Sequence, residues 1–160
     1  MRRSERTERE PGLGILAARL LFAVQDELYT RLDERGYGDL RRIHGVVLAY
    51  LDDEGSRATE LAWRSGRPKQ IVVRTIDELE QMGYVERRPD RSDRRAKLVV
   101  PTRRGREAMR LSDEIIDDIE RRHADAIGKA AYAQFRSRLL AIVDSMRRPS
   151  VDGQARPPRE

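Results

Sequence analysis

Residues 67–102 constrain this chain more than any other stretch, because the period of the apolar residues changes once in the middle. Over RPKQIVVRTIDELEQMG, Val72, Ile76 and Leu79 recur at helical spacing, which predicts a helix with one buried stripe. Pro68 suits its first turn, where no amide hydrogen is required, and Gly83 suits the position just past its end. The side away from the stripe carries Gln70, Arg74, Asp77 and Gln81, with Ile71 and Val73 on the flanks. After Gly83 the pattern becomes that of two short strands, over 84–88 and 96–100. They are joined by the turn-rich run Pro89-Asp90-Arg91-Ser92-Asp93-Arg94-Arg95. Between 87 and 97 six basic residues stand against two aspartates, a local excess of four positive charges.

A helix followed at once by a basic two-stranded loop is the layout of a winged helix-turn-helix. Further residues sharpen it: Glu60-Leu61-Ala62 and Gly66 before the helix, Asp77-Glu78-Leu79-Glu80 within it, and Gly83-Tyr84-Val85-Glu86-Arg87-Arg88 after it. Asp90, Asp93-Arg94-Arg95-Ala96 and Thr102-Arg103-Arg104-Gly105 follow, and 40–51 places Val47, Leu48 and Leu51 in register as a preceding helix. On these residues the chain resembles the MarR-type transcription regulators, most specifically over 58–106, with flanking helices that fit over 13–146. The resemblance implies a mainly α fold with a small β-wing, in which N- and C-terminal helices form a dimerisation region. It implies a sequence-specific regulator of transcription that binds double-stranded DNA at a pseudo-palindromic operator, a repressor released by a small aromatic effector. No cofactor and no catalysis are expected, since the chain has no glycine-rich phosphate loop and no persuasive Ser/His/Asp spacing.

Composition narrows the field less. Charged residues make up 38% of the chain, against ~25% in ordinary globular domains, so many faces must be solvated. The net charge of +5 favours polyanionic partners. Arginine supplies 30 of the 33 basic residues, however, and a general arginine bias would give the same balance, so local clustering carries more weight. The absence of cysteine excludes thiol redox sensing and cysteine-ligated zinc. No run approaches a membrane span and the charged N-terminus has no apolar signal core, so a cytoplasmic protein with no membrane partner is expected.

In chain order, a disordered start over 1–11 is followed by an amphipathic helix over 13–32, whose apolar side is Leu13, Leu16, Leu20, Leu21, Val24, Leu28 and Leu32. Gly36-Tyr37-Gly38 is expected to break it and Asp39 to cap the helix over 40–51. A loop over 52–55 precedes a short helix ending near Ser65, with a short strand between them implied by the resemblance. Thr102 should cap a long helix carrying Met109, Ile115, Ile116, Ile119 and Ile127, and Gly128 should separate it from a last helix with Tyr132, Phe135, Leu139, Ile142, Val143 and Met146. A disordered tail is expected over 148–160. The terminal helices carry more apolar surface than one small domain needs; they either cover the monomer's own core or join a second copy. The resemblance favours a homodimer, with 12–35 and 102–147 as its dimerisation region and 36–101 as the DNA-binding lobe.

On the predicted helix, carboxylates cannot lie against phosphates, so its N-terminal half must be the part that enters a groove. Gln70 suits adenine and Arg74 guanine, Ile71 and Val73 suit thymine methyls, and Lys69 suits phosphate. Many relatives have Ser or Thr where Pro68 stands, so their side-chain cap does not carry over. In the wing, an Asp two residues before an Arg can hold the guanidinium ready for a narrow minor groove. Here that pair is Asp93 and Arg95, with Arg88, Arg91 and Arg94 alongside, and the resemblance gives Arg95 the groove role. The effector pocket implied by the resemblance is placed near Tyr37, His44, Tyr50 and Trp63, with Gly45 leaving room beside it. His123 lies among Asp117, Asp118, Glu120 and Asp125, a grouping that a chain this charged produces by chance, so no metal site is expected. Two rival readings are a DNA architectural protein without operator preference and a helical protein-interaction module.

Overall fold

The structure, a computed structural model, describes residues 10–90, 93 and 95–146. The tails expected over 1–11 and 148–160 therefore lie outside the described residues, except for Glu10 and Pro11. The chain divides into two compact units, one ending at Ile116 and the other beginning at Asp117.

The first unit opens with α1 (Leu13–Leu32). Its bounds match the apolar periodicity, but only Leu32 is buried, while Leu13, Leu16, Leu20, Leu21 and Phe22 are exposed. Gly36 breaks this helix as the sequence suggests, although winding does not stop at Leu32. It runs on through a single wider π turn (Asp33–Tyr37), and regular winding ends where Gly36 takes φ 88°. The helix expected over 40–51 is shorter than that. Arg41 is extended, and its amide donates to His44 Nδ1 at 2.9 Å, so winding begins only after it. A 3₁₀ turn (Arg42–His44) then leads into α2 (Gly45–Leu48). An i→i+3 bond from the Tyr50 amide to the Val47 carbonyl tightens the exit and lets Leu51 turn inward. Nor does Asp39 cap this helix. Its carboxylate accepts from the Tyr84 hydroxyl at 2.5 Å and from Arg104 Nη2 at 3.1 Å, which joins the loop before α2 to residues far along the chain.

The strand β1 (Ser56–Arg57) comes next, then α3 (Ala58–Ser65) and a left-handed Gly66 at φ 64°, which turns the chain into α4 (Lys69–Gln81). Pro68 precedes α4 instead of occupying its first turn and supplies only its carbonyl, to the amides of Ile71 and Val72. The buried stripe contains Val72, Ile76 and Leu79 as expected, and also Thr75, whose hydroxyl donates to the Ile71 carbonyl at 2.9 Å. At the far end the Tyr84 amide reaches back to the Leu79 carbonyl and the Gly83 amide to that of Glu80, with Gly83 at φ 77°. Because Tyr84 completes this cap, the wing strands start one residue later than the alternation suggests: β2 (Val85–Pro89) and β3 (Lys97–Pro101). The sheet is antiparallel in the order β1-β3-β2, with Ser56 opposite Val99 and Arg87 opposite Val99 on the other edge. Leu40, Val47, Leu61, Val72, Ile76, Leu79, Tyr84, Val85 and Val99 form the core beneath α4 and the sheet.

Thr102 caps α5 (Arg103–Ile127): its hydroxyl oxygen accepts from the Gly105 amide at 3.1 Å and donates to the Gly83 carbonyl at 2.6 Å. Gly128, at φ 91°, separates α5 from α6 (Lys129–Met146). In the second unit Arg136 pairs with Glu120 at 2.8 Å and the Tyr132 ring lies between those of His123 and Phe135. No residue of α6 is buried, and Phe135, Leu140, Ile142, Val143 and Met146 are all exposed. Among the described residues, no helix is long and apolar enough to cross a membrane.

Candidate nucleic-acid interface

The buried stripe of α4 determines what the helix shows to solvent. With Val72, Thr75, Ile76 and Leu79 turned inward, Lys69, Gln70, Ile71 and Arg74 are exposed, and Val73 is half-buried. Arg74 stands out furthest, its side chain 82% exposed. No side chain caps the first turn, so the N-terminal amides of α4 face outward beside Lys69 and Gln70.

The rear half of the exposed side is different. Asp77 and Glu80 both pair with the guanidinium of Arg87 on β2, and Glu80 also accepts the Arg87 amide at 3.1 Å. Glu78 accepts from Arg41 Nη2 at 3.1 Å and from Arg74 Nε at 3.3 Å. The carboxylates that would oppose a phosphate backbone are thus drawn back onto the protein's own cations, while the leading half stays polar and positive. Nothing in the sequence singles out Arg41, and although Glu78 stands out as a carboxylate of the helix middle, only its i, i+4 spacing from Arg74 hints at their pairing.

The wing hairpin projects beside this helix. Its base is closed by the Asp90 amide donating to the Ala96 carbonyl at 3.1 Å. Asp90 itself is buried and accepts from Arg57 Nε at 2.8 Å, a bond between β1 and the wing that spans 33 residues. No local pattern announces such a partner, and Arg57 was missed. Asp93 Oδ1 accepts from the backbone amide of Arg95 at 3.0 Å. The contact shown is to the backbone and not to the guanidinium: the carboxylate shapes the turn that carries Arg95. Arg88 pairs with Glu86 on the same strand. Arg91 and Arg94, the other two wing arginines singled out, lie outside the described residues.

Between α1, α2 and the first half of α5 lies a cavity of about 300 Å³ lined by Leu28, Tyr29, Leu32, His44, Gly45, Met109 and Ser112, among others. Of the four residues expected around an effector, only His44 lines it. Tyr37 borders a separate cleft with Arg35, Glu107 and Arg110, while Tyr50 and Trp63 are exposed and line neither. The room expected beside Gly45 is taken by the Tyr29 hydroxyl, 3.1 Å from where a Cβ would stand.

His44 is fully buried. The Arg41 amide pointing at Nδ1 assigns its proton to Nε2, which faces Glu78 Oε2 at 3.4 Å. Burial holds its pKa below the ordinary 6.5; Glu78 and Asp39 pull it up, and Arg41 pulls it down. Unfolding therefore takes up a proton just below pH 6.5, and stability falls as the pH drops from there toward the lowered folded value. Glu78 is shifted down from 4.5, so its own loss of stability begins only at more acid pH. We expect His44→Asn to flatten the stability profile in the interval just below pH 6.5, read as urea midpoints. An unchanged slope in that interval would assign it to other groups.

Comparison with known proteins fits this geometry. The MarR family model matches residues 39–96. The transcriptional repressor MprA of Escherichia coli K12 is 29% identical over 112 residues, 68% of this chain; the match spans 64% of that repressor's length. Among solved structures, CouR from Rhodococcus jostii RHA1 bound to p-coumaroyl-CoA is 30% identical, with a TM-score of 0.67 over 81% of this chain and 90% of that one. A MarR-family transcriptional regulator from Rhodococcus sp. RHA1 is 28% identical, with a TM-score of 0.65 over 81% and 91%. With its helix-turn-helix, its wing and these relatives in agreement, the chain belongs to the MarR family of transcription regulators.

Proposed function

We propose that the chain is a sequence-specific double-stranded-DNA-binding regulator of transcription, a cytoplasmic repressor that works as a homodimer and lets go of its operator when a small molecule binds. The observation that carries this is the division of α4: a leading half with Gln70, Arg74 and Lys69 exposed, and rear carboxylates neutralised by Arg87 and Arg41. Gln70 and Arg74 read base edges, Ile71 and Val73 meet thymine methyls, and Lys69 binds phosphate. Arg95 enters the minor groove from the wing, with Arg88, Arg91 and Arg94 adding charge along the backbone and Asp93 shaping the turn. The exposed apolar residues of α1 and α6 support pairing with a second copy through 12–35 and 102–147, since so much apolar surface is rarely left open to water. The cavity beside His44 is the place for an effector. CouR was crystallised with p-coumaroyl-CoA and MprA is named a repressor, which makes aromatic acids and their thioesters the class to screen.

The test is base preference in duplexes selected from a randomised pool, at two salt concentrations. Wild type should select an inverted repeat whose halves lie ~10 base pairs apart, since a two-fold dimer presents two helices one DNA turn apart. Arg74→Ala should relax preference at one or two base pairs in each half, whereas Lys69→Ala should weaken all sequences alike and flatten the salt dependence by about one unit per half-site. Binding without base preference at raised salt would favour an architectural protein, and an unrepeated preference would sink the dimer.

A further inference from the structure

Resting on that reading of α4, a deeper arrangement concerns how Arg74 is aimed. An arginine with 82% of its side chain exposed has little packing to fix its direction. Here its Nε is taken by Glu78 Oε1 at 3.3 Å, one helical turn further on, which leaves the two terminal nitrogens for a ligand. Those terminal nitrogens are the pair that a bidentate contact with guanine requires. Glu78 is anchored in turn from behind. Its Oε2 accepts from Arg41 Nη2 at 3.1 Å and lies 3.4 Å from His44 Nε2. His44 cannot swing away, being fully buried with Nδ1 committed to the Arg41 amide. The carboxylate thus has a fixed imidazole on one side and a mobile, outward guanidinium on the other.

We infer that Glu78 is the positioning residue for base recognition: it orients Arg74, and it is itself oriented by His44 in the wall of the cavity. The bond from His44 is also the largest cause holding the Glu78 carboxyl below its usual range, which keeps it charged for Arg74. Base discrimination at one position then depends on a side chain that an occupant of the cavity can touch. A molecule drawing the Nε2 proton of His44 toward itself would loosen Arg74 without displacing α4.

Charge and positioning predict different things for Glu78→Gln. Removing a negative charge from a DNA-facing helix tightens every sequence equally, and a general folding defect weakens every sequence equally. Loss of positioning instead erodes discrimination at one base pair. The experiment uses the full chain and a randomised duplex pool, comparing wild type, Glu78→Gln, His44→Asn, Arg74→Ala and the Glu78→Gln/Arg74→Ala double variant. Glu78→Gln is expected to lose roughly threefold to tenfold of the preference at the pair that Arg74→Ala flattens, with other positions unchanged. Adding it to Arg74→Ala should change nothing further at that pair. His44→Asn keeps an acceptor for the Arg41 amide but offers no matching donor to Glu78, and should give a smaller loss at the same pair. Full retention of preference in Glu78→Gln, or an even loss across the site, overturns the inference. Retention in His44→Asn alone overturns the link to the cavity. A wild type without base preference at any position overturns the base-reading role of α4 itself, which the other outcomes leave standing.

Discussion

Gly105→Ala is expected to destabilise the fold by roughly 3 kcal/mol, the upper part of the range for forcing an extra carbon into a packed site. The position lies in the first turn of α5, where helix propensity alone would favour alanine by about 1 kcal/mol. Space decides the sign. A Cβ there would stand 2.0 Å from the Tyr84 carbonyl oxygen and 3.1 Å from its carbon. That carbonyl is not free to retreat, because it accepts the Thr102 amide at 2.9 Å. The residue behind it is no softer. Tyr84 is fully buried, its hydroxyl donates to Asp39 and accepts from Arg104 Nη2 at 3.0 Å, and the Arg104 guanidinium stacks 4.7 Å from the ring centre. Burial and the Asp39 contact push the phenol pKa up to about 12, so the hydroxyl stays a donor at any working pH. Either the start of α5 moves off the junction between α4 and β2, or the cap of α4 opens. Chemical denaturation of the variant checks this. A midpoint equal to that of wild type would mean that the start of α5 is not locked on Tyr84.

The same junction shows what the sequence could and could not reveal. The stripe of α4 is legible because Val72, Ile76 and Leu79 repeat at the helix period, and Gly83 marks the end because its φ of 77° suits glycine. Thr75 escapes that reading: it is polar, yet its hydroxyl is satisfied within its own helix, so it is buried without needing a distant partner. Asp39 looks like a helix cap by local rules, but a buried tyrosine 45 residues away competes for its carboxylate and prevails. Arg57 and Asp90 form a buried-end ion pair across 33 residues, a separation at which sequence pattern carries no information. The aromatic residues mislead for a related reason. Tyr37, Tyr50 and Trp63 are large enough to line a pocket, but only the packing of α1 and α5 decides which way a side chain faces, and the cavity wall is built mostly of aliphatic residues and Tyr29. The site's exposed half is therefore readable from one helix, whereas the groups that hold it in place are not.

In the wing, Arg95→Ala should weaken operator binding by roughly 1–3 kcal/mol, as for the loss of one specific arginine contact to DNA. The more discriminating case is its neighbour. Asp93 is a negative charge on a loop that faces a polyanion, so charge alone predicts tighter binding once it is removed. Its geometry predicts the reverse. Oδ1 accepts the Arg95 amide at 3.0 Å while the Asp93 carbonyl accepts the Ala96 amide at 2.9 Å, and the Asp90 amide closes the hairpin on Ala96. The aspartate therefore sets the backbone from which Arg95 projects, and Asp90 is tied down to Arg57 at the base. Asp93→Ala removes that bond and should cost about 0.5–1.5 kcal/mol of binding, the net worth of one hydrogen bond, despite the favourable change in charge. Asp93→Asn separates the two effects. Its amide oxygen still accepts from Arg95, and the charge is gone, so it should bind at least as tightly as wild type. Operator affinities of the three variants at two salt concentrations decide the matter, since the charge effect fades with screening and the turn's contribution does not. If the alanine and asparagine variants both bind more tightly, Asp93 acts only as a misplaced charge and the wing is held by Asp90 alone.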